Sequence, residues 1–325
     1  MKNIAILVPE TAVIEAIADP QYMFNAVNQF LVVAGKKPLF KIELVGLSKE
    51  VKLNGSSFTV HTDKLLKDVK KTDLIFIPAI SGDIPTALHL NKKSIPWIVD
   101  QYKKGAEVAS LCIGAFLLAS TGLLDGKKCS THWNAANEFR DMFPDVELVD
   151  GSIITEDQGV YSSGGANSYW SLLLHLVEKY TDRETAILAS KYFAVDIDRD
   201  SQAAFAMFKG QKSHNDEAIK HAQEYIETNI EDRISVDELA DRVALGRRSF
   251  ERRFKLATNN TVLEYIQRVK IESAKRSFEN SRKNINEVMF NIGYTDTKAF
   301  RTIFKKVTGL TPVEYRNKYH KMAIA

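Results

Sequence analysis

Short apolar runs alternate with helical patterns through about the first two hundred residues of the chain. Several runs are continuous stretches of Val, Ile and Leu, which is typical of strands that are buried on both faces. This alternation predicts an α/β fold with a doubly wound, mostly parallel sheet. The predicted strands are Ile4–Val8, Lys41–Val45, Asp73–Ile80, Glu107–Cys112 and Val160–Ser163. The predicted helices are Gln21–Ala34, Ile95–Lys104, Ala115–Ser120, Asn134–Met142 and Asn167–Tyr180.

The pattern changes at Lys209–Asn215, a polar stretch that contains a glycine. Beyond it no strand pattern appears, and helical patterns continue to the last residues. We therefore expect two domains, over residues 1–210 and 214–325, and we expect the second to be all-α. Its predicted helices are Asp216–Thr228, Val236–Val243, Arg247–Lys255, Val262–Phe278, Ile285–Ile292, Thr297–Val307 and Val313–Tyr319.

The helical part of the chain repeats itself. Ser249–Lys255 lines up with Ala299–Lys305, fifty residues later, and matches of threonine and of a Glu-Tyr pair continue at the same offset. Each copy contains a short helix, a tight turn and a second helix, which is helix-turn-helix organisation. The second helix of each copy is then available to enter a DNA major groove.

The side chains that face the groove follow from those that face the core. Phe250 and Phe254 are four residues apart, so they share one face of the helix and leave the basic residues on the other. Residues near the start of a recognition helix reach base edges first, and the fork of arginine fits guanine. The expected base contacts are Arg247, Arg248, Arg252, Thr297, Lys298 and Arg301, and the expected phosphate contacts are Lys255, Lys305 and Lys306.

The charge of the chain is concentrated in this repeat. The full chain has 44 Lys and Arg against 41 Asp and Glu. From Arg247 onward there are 18 basic against 7 acidic residues, a net charge of +11. A basic block on a folded segment favours double-stranded DNA as the partner. The helix predicted over Val262–Phe278 is about 25 Å long and would hold the two helix-turn-helix units at a fixed distance. The alternative is that the second helix pair only supports packing.

These motifs resemble the AraC-type DNA-binding domain over about residues 214–320. The matching segments are Phe250–Lys255, Arg268–Lys275, Ile292–Asp296, Phe300–Lys306 and Gly309–Arg316. The resemblance implies a transcription regulator with two helix-turn-helix units. The chain departs from the family's pattern at Gly246, where a serine N-cap is usual, and at Ala244, Met289 and Thr302.

Cys112 lies where a predicted strand runs into a predicted helix. A sharp strand-to-helix turn presents a nucleophile when a small residue, here Gly114, stands two positions on. The amides of the helix N-terminus would favour a thiolate, and the position suggests exposure to a pocket. The alternative is a buried, inert cysteine. Because Cys129 is the chain's other cysteine, neither a disulfide framework nor a zinc site is expected, and we expect the reducing cytoplasm as the compartment.

The segments around this cysteine resemble the PfpI-like branch of the class I glutamine amidotransferase-like superfamily over about residues 1–190. The resemblance is strongest in Cys112–Phe116 and Gly122–Trp133. It implies a flavodoxin-like sheet with the cysteine at a nucleophile elbow, an acidic residue nearby and a histidine that lines the same pocket. The matching acidic residue is Glu15, with Glu10 as second choice, and the matching histidine is His132.

The chain departs from the catalytic pattern of that superfamily directly after the cysteine. Active members often carry histidine there, whereas this chain has Ile113, which cannot act as a base. The strand end Pro78–Gly82 also lacks the usual Gly-Gly pair. We therefore expect that Cys112, Ile113, Glu15 and His132 line a pocket that senses a small molecule or an oxidant and does not catalyse a reaction.

The domain order resembles AraC-type regulators with a PfpI-like N-terminal domain, and residues 196–201 resemble their joining segment. We interpret the chain as a sequence-specific transcription regulator whose N-terminal domain senses a small-molecule effector, forms a homodimer, or both. The alternatives are a cysteine-dependent hydrolase or deglycase-like enzyme fused to a DNA-binding domain, and a purely structural dimerisation module.

We expect no membrane span, because the apolar runs are too short, and no cofactor. No metal site is expected, because His61, His89 and His175 lack ligand spacing.

Overall fold

The computed structural model describes residues 1–53, 55–197 and 201–320. The chain divides into two compact units, Met1–Gln202 and Ala203–Ala325. Part of the expected joining segment, residues 198–200, lies outside the described ranges.

The first unit is built around a sheet that has seven strands in the described residues. The strands of this unit are β1 Lys2–Leu7, β2 Phe40–Gly46, β3 Glu50–Leu53, β4 Phe58–His61, β5 Lys64–Leu65, β6 Leu74–Ile77, β7 Glu107–Leu111, β8 Lys128–Cys129, β9 Glu147–Leu148, β10 Ile154–Asp157 and β11 Val160–Ser163. The order across the sheet is β10-β11-β7-β6-β1-β2-β5. Neighbouring strands are parallel except β10 and β11. The predicted mostly parallel α/β sheet is therefore confirmed.

Helices cover both faces of this sheet. The helices of the first unit are α1 Glu15–Val33, α2 Ile84–Asn91, α3 Ile95–Lys103, α4 Ala115–Ala119, α5 Ala136–Met142, α6 Tyr169–Tyr180 and α7 Arg183–Phe193. In β1, Ile4 and Ile6 belong to one core with residues of α1, α6 and α7. Ala5 and Leu7 belong to the other core with residues of α2, α3, α4 and α5. Burial on both faces explains why the central strands are continuous apolar runs.

Some elements of the first unit differ from the prediction. The helix expected to begin at Gln21 begins at Glu15, so that Pro20 stands inside α1. Proline removes one helical hydrogen bond, and the burial of Ala16 and Ile17 in this turn compensates for the loss. The strand expected to reach Ile80 ends before Pro78. Helices α2 and α7 and the short strands β3, β4, β5, β8, β9 and β10 were not predicted.

The second unit is helical throughout its described residues, as predicted. Its helices are α8 Glu217–Thr228, α9 Val236–Arg242, α10 Arg247–Thr258, α11 Val262–Asn280, α12 Ile285–Asn291, α13 Thr297–Thr308 and α14 Pro312–Tyr319. They surround two separate apolar cores. One core includes Phe250 and Phe254, and the other includes Phe300 and Phe304.

The division between the units falls after Gln202, earlier than the polar stretch on which the sequence placed the boundary. The residues that follow pack on the second unit. The amide of Phe208 donates a hydrogen bond to the carboxylate of Glu272 at 3.1 Å, and the ammonium group of Lys275 donates to the carbonyl of Ala206. These contacts join residues that are more than sixty positions apart in the sequence, so the local composition on which we placed the boundary does not reveal them.

Candidate nucleic-acid interface and effector site

Helix α10 follows a turn in which Ala244 adopts a left-handed conformation, with φ of 53°. That conformation costs a residue with a Cβ roughly 1–2 kcal/mol. The helix begins after Gly246, which supplies no side-chain cap. Phe250 and Phe254 are fully buried, and their ring centroids lie 5.6 Å apart in an edge-to-face arrangement. Their burial turns the opposite face of α10 towards solvent.

Helix α13 repeats this arrangement with a capped start. The carboxylate of Asp296 accepts hydrogen bonds from the amides of Lys298 and Ala299 at 2.7 Å and 3.1 Å. Phe300 and Phe304 are fully buried, and their ring centroids also lie 5.6 Å apart. The second helix-turn-helix therefore presents its outward face through the same pair of buried rings.

The repeat continues into the turn after each of these helices. The hydroxyls of Thr258 and Thr308 each donate to the carbonyl of the phenylalanine four residues earlier, at 2.8 Å in both copies. The next helices, α11 and α14, each begin with a capping box, in which threonine and glutamate satisfy each other's backbone amides. The two boxes are Thr261 with Glu264 and Thr311 with Glu314. One local structure is built twice, which accounts for the sequence matches at a fixed offset.

The predicted contact residues lie on the outward faces of α10 and α13. All of them are exposed except Thr297, which is half-buried at the first position of α13. The guanidinium of Arg247 lies 3.0 Å from Asp237 and 3.3 Å from Glu251, so this side chain is engaged by two acids. Within the described residues the other basic candidates form no ion pair. These are Arg248, Arg252, Lys255, Lys298, Arg301, Lys305 and Lys306.

Arg253, which the sequence analysis did not single out, holds α10 against α8. Its guanidinium donates two hydrogen bonds to the carboxylate of Asp216, at 2.6 Å and 2.8 Å. Asp216 also caps α8. The neighbouring guanidinium holds the pKa of Asp216 below its usual range. The position of α10 therefore depends on an ion pair that joins distant segments, which the repeat alone does not indicate.

The first unit contains the elbow that the sequence predicted at Cys112. The residue follows β7 directly and has φ of 54°. The turn Cys112–Gly114 then leads into α4. A Cβ at Gly114 would lie 2.5 Å from the carbonyl oxygen of Pro78 and 2.6 Å from that of Ile77. The small residue two positions after the cysteine is therefore required by the close approach of the end of β6.

The expected exposure of Cys112 to a pocket is wrong. The residue is 4% exposed and belongs to an apolar core. Burial raises the pKa of its thiol to about 12, and the backbone amide of Ile113 offsets only part of this effect. The amide of Ile113 acts in the expected direction, but desolvation of the charged form outweighs it, so that the thiol stays protonated. Ile113 itself is half-buried and packs against the cores on both faces of the sheet.

The two polar residues expected beside the cysteine do not engage it. Glu15 is exposed at the first position of α1. His132 is half-buried, and its Nδ1 accepts a hydrogen bond from the amide of Asn134 at 3.1 Å. Burial lowers the pKa of His132. Among the described residues no hydrogen bond joins the thiol of Cys112 to either side chain. The part of the chain that the structure describes therefore contains no hydrogen-bonded pair of Cys112 with a histidine or a carboxylate.

Sequence reasoning missed two residues close to the elbow. The hydroxyl of Tyr169 donates to the carboxylate of Asp19 at 2.7 Å. Tyr169 is buried in the same core as Cys112, and burial raises the pKa of both the tyrosine and Asp19. Asp19 lies one helical turn after Glu15, so the periodicity of α1 contained a signal for it.

Polar groups gather at the carboxyl ends of the central strands, where ligands bind in sheets of this topology. Thr11, beyond β1, has φ of 71°, and its hydroxyl oxygen is buried without a partner among the described residues. Beyond β7, the hydroxyl of Thr131 donates to the carbonyl of Cys112 at 3.3 Å. The backbone around Thr131 is held by the buried Gln202, whose amide donates to the carbonyls of Thr131 and Ser152 at 2.9 Å and 3.1 Å.

Two further features bear on the class of protein. The described residues contain no cluster of histidine, cysteine and carboxylate side chains that could hold a metal ion. Within the same ranges no helix combines the length and the apolar character that crossing a membrane requires.

The fold and these sites define a protein with an α/β elbow domain and a domain of two helix-turn-helix units. Residues 5–179, more than half of the chain, match the model of the DJ-1/PfpI family. Residues 239–318 match a model described as a helix-turn-helix domain. The chain belongs to the DJ-1/PfpI family, and its second unit carries a helix-turn-helix domain of the AraC type. Both resemblances inferred from the sequence are confirmed.

Relatives that match most of the chain are transcription regulators by name. The HTH-type transcriptional regulator GbdR of Pseudomonas aeruginosa is 24% identical over 238 residues, which are 73% of this chain and 65% of the relative. The HTH-type transcriptional regulator GlxA of Rhizobium meliloti is 21% identical over 285 residues, which are 87% of this chain and 86% of the relative. The chain thus spans 65% of the length of the first of these relatives.

A solved structure shows the same fold. The crystal structure of a ThiJ/PfpI family protein from Pseudomonas syringae is 18% identical and has a TM-score of 0.51. The similarity covers 75% of this chain and 90% of that protein.

Proposed function

We propose that the protein is a sequence-specific, DNA-binding transcription regulator. The observation that carries this proposal is the repeated outward face of α10 and α13. Two buried phenylalanines in each copy fix which side of the helix faces solvent, and exposed basic side chains occupy that side in both copies. Basic residues on a recognition helix are the groups that meet base edges and phosphates in a major groove.

The two faces are carried by one connecting helix. Helix α11 has 19 residues and is therefore about 28 Å long at about 1.5 Å per residue. Successive major-groove faces on one side of a duplex are about 34 Å apart. A helix of this length supports simultaneous reading of two adjacent groove segments by one chain.

The N-terminal unit supplies the signal in this proposal. We infer that a small-molecule effector binds at the carboxyl ends of the central strands, near Cys112, Ile113, Glu15 and His132. The buried, unpartnered hydroxyl of Thr11 supports a polar ligand at this edge. The proposal also assigns homodimerisation to this unit. An effector shifts the protein between DNA-competent and incompetent arrangements only through different affinities for the two.

The reading faces can be tested by alanine substitution in the full chain. Binding is measured on the best duplex selected from a random pool and on variants of it with single base changes. We expect Arg248→Ala and Arg301→Ala each to cost about 1–3 kcal/mol on the best site and to relax the preference at one base position. Arg248 is chosen over Arg247 because Arg247 is already engaged by two acids.

Lys306→Ala is the matched control, because it removes an exposed basic residue from the same surface at a predicted phosphate contact. It should weaken binding to all sequences alike. The assignment of the faces fails if all three variants lose affinity uniformly. The DNA-binding proposal itself fails if the wild-type chain selects no sequence from the pool.

The non-enzymatic half of the proposal rests on Cys112. The buried thiol forms no hydrogen bond to a base in the described residues, and its raised pKa leaves almost no thiolate at neutral pH. We expect no appreciable hydrolase or glyoxalase-type turnover from the purified protein. Cys112→Ser should leave DNA affinity in the absence of effector unchanged. Robust turnover that disappears in Cys112→Ser would favour the enzyme alternative.

A further inference from the structure

Helix α11 belongs to both helix-turn-helix units. We call these units the first head, built on the core that includes Phe250, and the second head, built on the core that includes Phe300. Its first part, including Val262 and Tyr265, lies in the core of the first head. Its later part, including Ala274 and Phe278, lies in the core of the second head. The two cores are separate clusters, so apolar packing holds each head together without by itself fixing one head against the other.

Lys270 lies on α11 between these two parts. It is 6% exposed, and its ammonium group donates to the carbonyl of Asp232 at 2.9 Å and to the carbonyl of Ile292 at 3.0 Å. Asp232 lies in the loop before α9, in the first head, and Ile292 directly follows α12, in the second head. One buried side chain thus joins the backbones of both heads.

The two loops that Lys270 joins also touch each other. A Cβ at Gly293 would lie 2.2 Å from the carbonyl oxygen of Glu231 and 2.9 Å from the Nζ atom of Lys270. Gly293 has φ of 73°, which only glycine adopts freely. Glycine at this position therefore allows the turn of the second head to approach the loop of the first head closely enough for both carbonyls to reach one ammonium group.

Simple packing does not require a lysine here. Burying an ammonium group is unfavourable unless hydrogen bonds replace its hydration, and a methionine would fill similar space without that cost. The contribution specific to lysine is the pair of charge-assisted bonds to carbonyls of two different heads.

We propose that Lys270 is the positioning residue that fixes the orientation of the two reading heads, and that it thereby sets the number of base pairs between the two DNA segments that one chain reads. This inference rests on the proposed DNA-binding function. A single inserted base pair moves the second segment by about 3.4 Å along the axis and rotates it by about 35°. Rigidly joined heads cannot follow that movement, whereas loosely joined heads can.

The test uses the full-length protein and the duplex it selects best from a random pool. The duplex is then remade with one base pair inserted or deleted between the two contacted segments, which are located by footprinting. We expect wild type to lose at least tenfold in affinity for each altered duplex. We expect Lys270→Met to lose less than threefold between the original and the altered duplexes, although it binds the original more weakly than wild type.

Lys275→Met is the matched control. Lys275 is also a buried lysine of α11, but it bonds to Glu272 on the same helix and to the carbonyl of Ala206, and not to the two loops that Lys270 joins. It should lower thermal stability and keep the sharp spacing preference. Gly293→Ala, which pushes the same two loops apart while keeping the lysine in the sequence, should relax the preference as Lys270→Met does.

A wild-type spacing preference in folded Lys270→Met would overturn the proposal. If circular dichroism shows that this variant is unfolded, Lys270→Gln is read by the same criterion, since it keeps a donor for one carbonyl. Failure of the underlying function is distinguishable, because the wild-type chain would then select no duplex at all.

Discussion

Cys112 combines a strained backbone with a buried side chain. Its left-handed φ costs roughly 1–2 kcal/mol relative to ordinary backbone, and the core of the first unit compensates by burying the thiol. The same backbone geometry at the end of a strand would present a nucleophile if the thiol were open to solvent. In this chain the elbow persists while the thiol lies within the core, with its pKa raised to about 12. The shape of the turn alone therefore does not define its chemistry.

We expect both cysteines to react slowly with a thiol reagent, because both thiols are buried. Burial raises the pKa of Cys112 and of Cys129 to about 12, so at pH 8 the folded chain should react far more slowly with a disulfide reagent than the chain in urea. The same shifts make the stability of the fold depend on pH. Because both folded pKa values exceed the unfolded value, the preference of the folded chain for neutral thiols stabilises it fully below about pH 9. This stabilisation is lost as the pH rises from about 9 to 12.

The reaction is measured by the absorbance of the chromophore that the reagent releases. The variants Cys112→Ser and Cys129→Ser show which thiol accounts for each phase of the reaction. Rapid reaction of one thiol in the folded chain that disappears in Cys112→Ser would show an open, activated elbow. That result would return redox sensing or catalysis to the first unit.

The sequence could predict the elbow residues but not their surroundings. Cys112 and Gly114 stand at a strand-to-helix junction that local pattern reveals. The thiol is buried in a core whose members, such as Tyr169, come from distant parts of the sequence. Asp19 escapes prediction for a related reason, because Pro20 favours a helix that begins after it.

The two helix-turn-helix units of the second unit differ in their turns and in their N-caps. Helix α9 ends at Arg242 and α12 ends at Asn291, whereas α10 and α13 begin at Arg247 and Thr297. The first turn is therefore one residue shorter than the second, and the fifty-residue offset ends there. The shorter turn places Ala244 at positive φ, while the longer one uses Gly293. The second copy also has the Asp296 cap that the first lacks.

Serine substitutions at the two glycines of these turns should have opposite effects. Gly246 has φ of −66°, and a Cβ added to it would have no atom within 4 Å, so Gly246→Ser adds an N-cap and reduces the freedom of the unfolded chain. We expect a gain of about 0.5–1 kcal/mol in stability of the second unit. Gly293→Ser is the control, and it should destabilise by more than about 1 kcal/mol, since its Cβ would meet the carbonyl of Glu231.

Calorimetry measures both variants in the full chain. The three tryptophans, Trp97, Trp133 and Trp170, all lie in the first unit. A transition that is silent in tryptophan fluorescence therefore reports the second unit. A loss of stability in Gly246→Ser would show that α10 requires a bare N-terminus.

Prediction from sequence was most complete where one pattern decides the element. The five predicted strands all form strands of the sheet, because burial on both faces selects continuous apolar runs. Every predicted helix of the second unit is present, because each one covers a core with one periodic face. Helix α7, which packs with exposed as well as buried apolar residues, and the two-residue strands follow from tertiary contacts, and no local period identifies them.

Across the whole molecule, basic charge is concentrated in the two helix-turn-helix units. The first unit, residues 1–202, carries 21 basic against 25 acidic side chains, whereas the segment from Arg247 onward carries 18 against 7. The first unit therefore adds no attraction for a polyanion, and the field that steers DNA originates in the reading heads.

DNA affinity of the full chain should fall steeply with salt. If six or so phosphates are neutralised by the basic faces, the logarithm of affinity falls with the logarithm of salt concentration at a slope of about −5. Between about 50 and 200 mM salt this is about a thousandfold loss, measurable by fluorescence anisotropy on a labelled duplex. Lys306→Ala removes one phosphate contact and should reduce the slope by about 1, while Lys179→Ala, in the first unit, should leave it unchanged. A flat salt dependence in wild type would contradict the assignment of these faces to DNA, because the basic block would then neutralise no phosphates.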